Sequence, residues 1–512
     1  MSQTANRIIK NTAFLYARLG VTMFIALWTT RLVLNALGVS DYGIYNIVGG
    51  AIGMMGFLNA SMASATQRFM NYVEGQGNTE KKKEIFNTSL LIHVIISLIV
   101  CIALIVAGLI FFNGVLNIPH DRLQAAYVVY GCMVVSTMLT VINSPYEAIL
   151  TSHENMRYYA VIGVFESILK LLVAFACVYT AYDKLIVYGF LMACIPFVSL
   201  SVMKIYCHCH YSECVISPIK YINKKTMRDM SGFAGWNFIG SMSGLVGNHG
   251  NSLVMNHFYG TMLNTALGVA NQISGQLYIF SNYMLKAMAP VITKSEGGGN
   301  RSQVLRYANT GCKFSFALLA VFAIPAIIEM PFIQRKWLKI VPEWAVLFAQ
   351  LQLVRTLIEQ LTISYCTAIS AEGHIRMFVL IKSIVNFVPV TCLYVLFCLG
   401  YSPVYMYVLN ISIFGIFLSV VNIYFAHRNC GLRYIDFIKE LLIPVTISFV
   451  VAFVLASIPS FSLEEGWVRF FLTLTIGSFS YILLFWLFTM SGDEKEIVKN
   501  LYNEANVIVW KR

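Results

Sequence analysis

EGQGN at Glu74–Asn78 and EGGGN at Glu296–Asn300 are one pentad written twice, at an offset of 222 residues. Each leads into an Asn-Thr pair, Asn87-Thr88 and Asn309-Thr310, and the same offset superposes Gly38 on Gly260 and Phe14 on Trp236. The match therefore runs through hydrophobic stretches as well as a loop, which a chance loop coincidence would not do. Internal duplication in a membrane chain points to a transporter of two lobes with a substrate path between them.

The membrane assignment comes from composition. The 512 residues are 58% hydrophobic and 12% charged, with a mean hydropathy of +0.70, against about 25% charged in an average soluble protein. A span needs about 20 mostly apolar residues. Such stretches lie near 12–36, 43–69, 88–112, 124–148, 158–181, 185–204, 230–257, 263–290, 312–332, 344–369, 377–398, 403–426, 441–458 and 467–490. The fold class expected is an all-α polytopic membrane protein of about fourteen helices. In the second and seventh stretches Gly, Ser and Asn interrupt the apolar run, as in helices that pack closely or line a wet cavity.

Most loop Lys and Arg, including Lys81–Lys83, Lys220, Lys224, Lys225, Arg301, Arg306, Arg433 and Lys439, fall on the side that holds the N-terminus. The positive-inside rule then puts both termini in the cytoplasm, as an even number of spans requires. The net charge of +12 reads as attraction to an anionic inner leaflet, with no need of nucleic acid. Six spans per repeat give lobes of parallel orientation. The expected domains are an N-terminal lobe at 1–206, a basic inter-lobe loop at 207–229, a C-terminal lobe at 230–426, two extra helices at 427–490 and a charged cytoplasmic tail at 491–512. No cleavable signal peptide is evident, since the first apolar stretch is long enough to span.

The opening NTAFLYARLGVTMFIALWTTRLVLNALGVSDYGIYNIVGG, with its LGxxxYGxYxxV turn into the second span, resembles bacterial polysaccharide-export proteins. These are the Wzx-type lipid-linked oligosaccharide flippases of the multidrug/oligosaccharidyl-lipid/polysaccharide (MOP) exporter superfamily, related to the MATE transporters. The resemblance implies an alternating-access carrier of the bacterial inner membrane. Its substrate would be an undecaprenyl-pyrophosphate-linked oligosaccharide, moved to the periplasmic leaflet for O-antigen, lipopolysaccharide or capsule synthesis. It also implies contacts with glycosyltransferases or a polymerase, and a monomer suffices because the duplication supplies an internal pseudo-dimer.

Carrying a pyrophosphate across about 30 Å of hydrocarbon requires cationic and polar groups inside the spans. Arg18 lies about 9 Å into the first span; cavity lining and snorkelling to the headgroups are both open to it, and the resemblance favours the cavity. Arg31, turned about 140° from Arg18 on the same helix, is a candidate for substrate contact or for an interfacial anchor. Glu166 and Lys170 in the fifth span, and Arg355 and Glu359 in the tenth, form two i, i+4 acid-base pairs. The carboxylates are candidate H⁺ or Na⁺ coupling sites and the cations candidate pyrophosphate ligands, against the alternative of pairs that simply glue a bundle. In GWNFIGSMSGLVGNHGNS, the residues Trp236, Asn237, Asn248 and Asn251 are candidate sugar contacts, with close helix packing equally open. Lys286 and Lys382 read as snorkelling residues, Arg68 as a headgroup contact and Asp41 as a helix cap.

Gly75 and Gly77 in one pentad, and Gly297 and Gly299 in the other, are candidate hinge glycines. Neither loop has the Lys-Ser/Thr ending of a nucleotide site. Twelve scattered cysteines give no disulfide framework, and the CHCHYSEC run at Cys207–Cys214 lacks the usual zinc spacing, so no metal and no cofactor is expected. No nucleophile-base arrangement suggests an enzyme. The alternatives are a cation-coupled MATE-like exporter, which an acidic first span would favour, and an O-antigen polymerase, which would carry a large outer loop.

Overall fold

The computed structural model describes residues 2–53, 56–112, 118–338 and 341–496, and is all-α, with no strand among these residues. In chain order the helices are α1 (Ser2–Gly53), α2 (Gly56–Gln76), α3 (Thr79–Ile110), α4 (Leu123–Ser152), α5 (Met156–Tyr179), α6 (Lys184–His210) and α7 (Pro218–Tyr221). There follow α8 (Lys224–Gly297), α9 (Arg301–Ile328), α10 (Met330–Trp337), α11 (Ala345–Gln360), α12 (Ile363–Glu372), α13 (Arg376–Cys398), α14 (Tyr405–Asn410), α15 (Leu418–Cys430), α16 (Tyr434–Phe437), α17 (Ile443–Ser462) and α18 (Trp467–Leu484). Ten helical stretches are long and apolar enough to cross a bilayer. The remaining segments read as spans, the second, seventh, eighth and tenth, are helical but interrupted by polar residues and glycine. The tenth is broken at Leu361 and Thr362, between α11 and α12.

The duplication is written into the backbone. Gly38 (φ +78°) breaks α1 and Gly260 (φ +72°) breaks α8, each in a conformation that glycine reaches without a Cβ penalty. Each kink thereby divides one long helix into two successive spans. The pentads repeat as closely. Gly77 (φ +68°) and Gly299 (φ +75°) are both left-handed, and the Gly77 and Gly299 N–H groups donate to Glu74 O and Glu296 O at 3.1 and 2.9 Å. Asn78 then caps α3 by accepting from Lys81 N, and Asn300 caps α9 by accepting from Gln303 N. The leading glutamates each meet a cation, Lys82 at 2.5 Å from Glu74 and Arg301 at 2.9 Å from Glu296. The pentad is thus a helix stop, a left-handed turn and a helix start in five residues. Only Gly77 and Gly299 have positive φ; Gly75 and Gly297 lie inside the ends of α2 and α8.

The chain divides into two compact units, 11–238 and 239–512, with 1–10 joined to the second. In the first, α4 packs against α2, α3 and α6 around a core of Val33, Val48, Leu104, Val129, Ala174 and Leu185. Arg122, before α4, is clasped by Asp41 and Asp183, with Asp183 Oδ2 at 2.7 Å. Asp41 is therefore an ion-pair partner that joins the Gly38 turn to the starts of α4 and α6. In the second unit, α17 and α18 form a hairpin packed on α9. Glu329, fully buried at the end of α9, takes Arg469 of α18 at 2.8 Å and a hydrogen bond from Thr473 at 3.1 Å. Of the segment 491–512, Ser491–Glu496 carry structure and the rest of the charged tail lies outside the described residues.

Candidate functional site

Each unit sets an arginine of its apolar helices against an aromatic ring. In the first unit, Arg18 reaches across to α5, where its guanidinium carbon sits 4.5 Å from the centre of the Tyr159 ring. It lies flat against Gly163, at which any Cβ would overlap the guanidinium. One turn further along α5, Glu166 accepts a 2.5 Å hydrogen bond from Ser199 of α6. The predicted Glu166–Lys170 pair does not form among the described residues: Lys170 is exposed, and Glu166 turns to the serine. Sharing a helix face at i, i+4 makes such a pair possible, but the neighbouring helix offered the better partner. Arg31 is exposed at the far end of the same span.

In the second unit the Arg355–Glu359 pair forms, Nε to Oε1 at 2.8 Å, and Arg355 stacks on Phe414 at 4.5 Å. Both line a cavity of about 280 Å³ walled by Gly240, Gly244, Thr362, Lys382, Asn386 and Asn422, among others. Asn386 donates to Ser243 at 3.0 Å and Asn422 to Thr362 at 3.0 Å. The Asn422 Oδ1 is buried without a partner, an acceptor that a bound water, cation or hydroxyl would satisfy. The cavity therefore offers two cationic heads, a carboxylate, two amides and an aromatic face, a set suited to a phosphate and sugar hydroxyls.

The glycine-rich stretch of α8 divides between its two readings. Gly240 and Gly244 line the cavity, while a Cβ at Gly247 would meet Asn386 O at 2.8 Å and one at Gly250 would meet Val390 at 2.8 Å. Those two are close-packing positions against α13. Asn251 is buried and donates to Asn410 at 2.9 Å, so it is an interhelical tie and does not line the cavity. Trp236 and Asn237 are half-buried residues of the other unit, and Asn237 Nδ2 is buried without a hydrogen-bond partner. The Asn248 side chain lies outside the described residues.

Sequence reasoning took Lys382, which lines the cavity, for a snorkelling residue, and passed over Asn386, Asn422 and Gly163. For Lys382 and Asn386 a signal was present: they stand at i, i+4 on one face of α13. Gly163 gives no such signal, because its role depends on what a helix 145 residues away in sequence lays against it.

A further cluster of titratable groups joins the end of α2 to the residues that follow α4 and α6. Glu74, His153 and Glu213 bring one nitrogen or carboxylate oxygen each within 4.8 Å of one another. His153 Nε2 bonds Glu213, and its ring stacks on Tyr211 at 4.2 Å. Lys82 is already on Glu74, so one of the two carboxylates has a cation of its own. Burial would raise the Glu213 carboxyl, but the hydrogen bond from His153 and the nearby Lys82 hold it below its ordinary value of 4.5.

Residues 8–296 match the family model described as polysaccharide biosynthesis protein. A curated relative, the uncharacterized membrane protein EpsK of Bacillus subtilis (strain 168), is 22% identical over 326 residues, spanning 63% of this chain and 62% of that protein. Among solved structures, a mutant MATE protein superposes with a TM-score of 0.71 at 13% identity over 84% of this chain and 96% of its own. An outward-facing multidrug resistance MATE transporter of the MOP superfamily gives 0.70 at 12% identity, over 84% and 96%. A MOP superfamily transporter from Pyrococcus furiosus gives 0.65 at 14%, over 85% and 97%. At these identities the structures establish a shared fold.

Proposed function

Because the chain belongs to the polysaccharide biosynthesis protein family, we propose that it is a flippase for a lipid-linked oligosaccharide, carrying the pyrophosphate-sugar head across the bacterial inner membrane while the lipid tail stays in the bilayer. The observation that carries this reading is the cavity holding Arg355, Lys382, Glu359, Asn386 and Asn422. A phosphate needs cations that have already been desolvated, and sugar hydroxyls need amides and an aromatic face. At about 280 Å³ this cavity suits the phosphate end of such a head. Arg18, stacked on Tyr159, is a further cation for the substrate, in the first unit. Anions of the substrate exchange for Glu359 at Arg355, and a proton or sodium ion taken up by Glu359 would release the arginine for that exchange. Both termini face the cytoplasm in this reading, the protein acts as a monomer, and glycosyltransferases or a polymerase meet it at the membrane.

A MATE-like exporter of small cations shares the fold, but two cations in one small cavity oppose a cationic substrate. The deciding experiment is transbilayer movement of an undecaprenyl-pyrophosphate oligosaccharide in proteoliposomes, comparing wild type with Arg18→Ala and Arg355→Ala. Movement in wild type and its loss in both variants, at equal protein level, is expected. Absence of movement in wild type together with export of small organic cations would overturn the proposal.

A further inference from the structure

A second polar cleft opens on the unit 239–512, at the end that carries the EGGGN loop. It encloses about 640 Å³ between the start of α9, the segment from Leu432 to Pro444 and the residues that follow α18. One wall is cationic and rich in donors. Arg306, Asn309, Thr310 and Lys313 stand on successive turns of α9, with Tyr365 behind them. Lys313 is 5% exposed, and Tyr365 is fully buried with a hydroxyl that has no partner. A buried ammonium beside an unsatisfied hydroxyl is an arrangement that calls for an anion with several acceptor oxygens.

What meets that wall is a pair of adjacent carboxylates. Asp493 Oδ2 lies 2.6 Å from Arg306 Nη2; Glu494 accepts from Thr310 Oγ1 at 2.9 Å and approaches Lys313 Nζ at 3.6 Å. Of the two acids of the opposite wall, Glu440 accepts from the Asn309 amide at 3.1 Å, and Asp436 pairs with Arg433 at 2.7 Å. Glu494 also accepts from Ser491 N at 2.8 Å while Ser491 Oγ accepts from Glu494 N at 3.3 Å, a reciprocal helix cap. Glutamine serves such a cap equally well, so the cap does not account for the charge.

We propose that this cleft binds a phosphate-bearing anion and that Asp493 and Glu494 hold it closed as an internal competitor. The ligand class is a phosphate or pyrophosphate group, free or on a lipid headgroup, bridging Arg306, Thr310 and Lys313 with Tyr365 as a further donor. Its arrival displaces the acidic pair from the cationic wall. The inference does not rest on the transport reading, since binding is measured without turnover.

The test uses the full chain as wild type, Asp493→Asn/Glu494→Gln, and the same double variant with Lys313→Met. Inorganic pyrophosphate is titrated by calorimetry. In parallel, nanodiscs of phosphatidylcholine with or without phosphatidylglycerol report lipid retention by native mass spectrometry. The double variant should bind about tenfold tighter than wild type, the scale of losing one charged competitor, and Lys313→Met should abolish the gain. A gain with pyrophosphate assigns a soluble anion, and a gain confined to phosphatidylglycerol assigns a headgroup. No gain in either, in a variant that melts like wild type, overturns the proposal. Glu494→Gln alone, which keeps the cap and the Asp493 contact, should show a smaller gain of about threefold by the same competition. Its failure to do so overturns the proposal even if the double variant does not fold.

Discussion

The two units place an arginine in the same way and neutralise it differently. Arg18 and Arg355 each lie 4.5 Å from the centre of an aromatic ring, Tyr159 in one unit and Phe414 in the other. Arg355 has Glu359 at 2.8 Å, whereas no carboxylate pairs with Arg18 among the described residues; a glycine lets it lie against a neighbouring helix instead. The two arginines are not partners in the duplication: at the 222-residue offset Arg18 falls on Gly240 and Arg355 on Met133, so each unit supplies its own. In the function proposed above, Arg18 would meet an anion directly, whereas Arg355 would first give up Glu359.

The units also differ in what is fastened to them, and the largest expected effect tests that difference. Only the second carries the α17–α18 hairpin, held by the buried Glu329 and the half-buried Arg469. Glu329→Ala removes the hydrogen bonds to Arg469 and Thr473 and should cost about 2–3 kcal/mol, read as a lowered melting temperature in detergent; Asp41→Ala, at the more exposed clasp of the first unit, should cost less. Next is Gly163→Ala. Forcing the guanidinium off Tyr159 should lower transport about tenfold, on the scale of one lost cation–π contact, whereas Gly415→Ala in the second unit, whose Cβ would meet Ile358 no closer than 3.5 Å, should change it little. A reversed ranking would break the proposed contrast between the two arginines.

Smaller and matched effects should come from the pentads. Gly77→Ala and Gly299→Ala meet no atom within 4 Å, so each pays only for a left-handed backbone, about 1–2 kcal/mol in stability. Unequal losses by chemical denaturation would show that the two turns are not equivalent. The smallest effect is a pH dependence. The Glu213 carboxyl is held below 4.5 in the folded state, so its stabilisation is fully present above that value and is lost as pH falls below it. Glu213→Gln should flatten the acid limb of a stability-pH profile.

How much of this could be seen in the sequence depends on how local each feature is. The pentads and the Gly38/Gly260 pair were legible because a left-handed turn selects glycine by sterics within one residue. The bilayer assignment was legible because it sums over many residues. The Arg355–Glu359 pair was legible from helical spacing alone, and the same spacing misled for Glu166 and Lys170, where Ser199 on another helix won. Asn251 misled for a related reason: an amide in a span can face a cavity or a partner amide, and Asn410 decides which. Gly163 and the cleft at Lys313 depend on contacts between distant segments, which no local pattern carries.

The asparagine that follows each pentad has a last consequence, for mutational tolerance. Asn87 donates to Val215 O at 2.8 Å and accepts from Ser217 N at 2.9 Å, so it grips the outgoing chain by its backbone. Asn309, at the matching position, grips a side chain, Glu440. A grip on main-chain atoms is indifferent to which residues pass through it. The linker behind the first unit can therefore change its composition without losing this grip, while the segment leading into the α17–α18 hairpin keeps its own only with an acceptor at position 440.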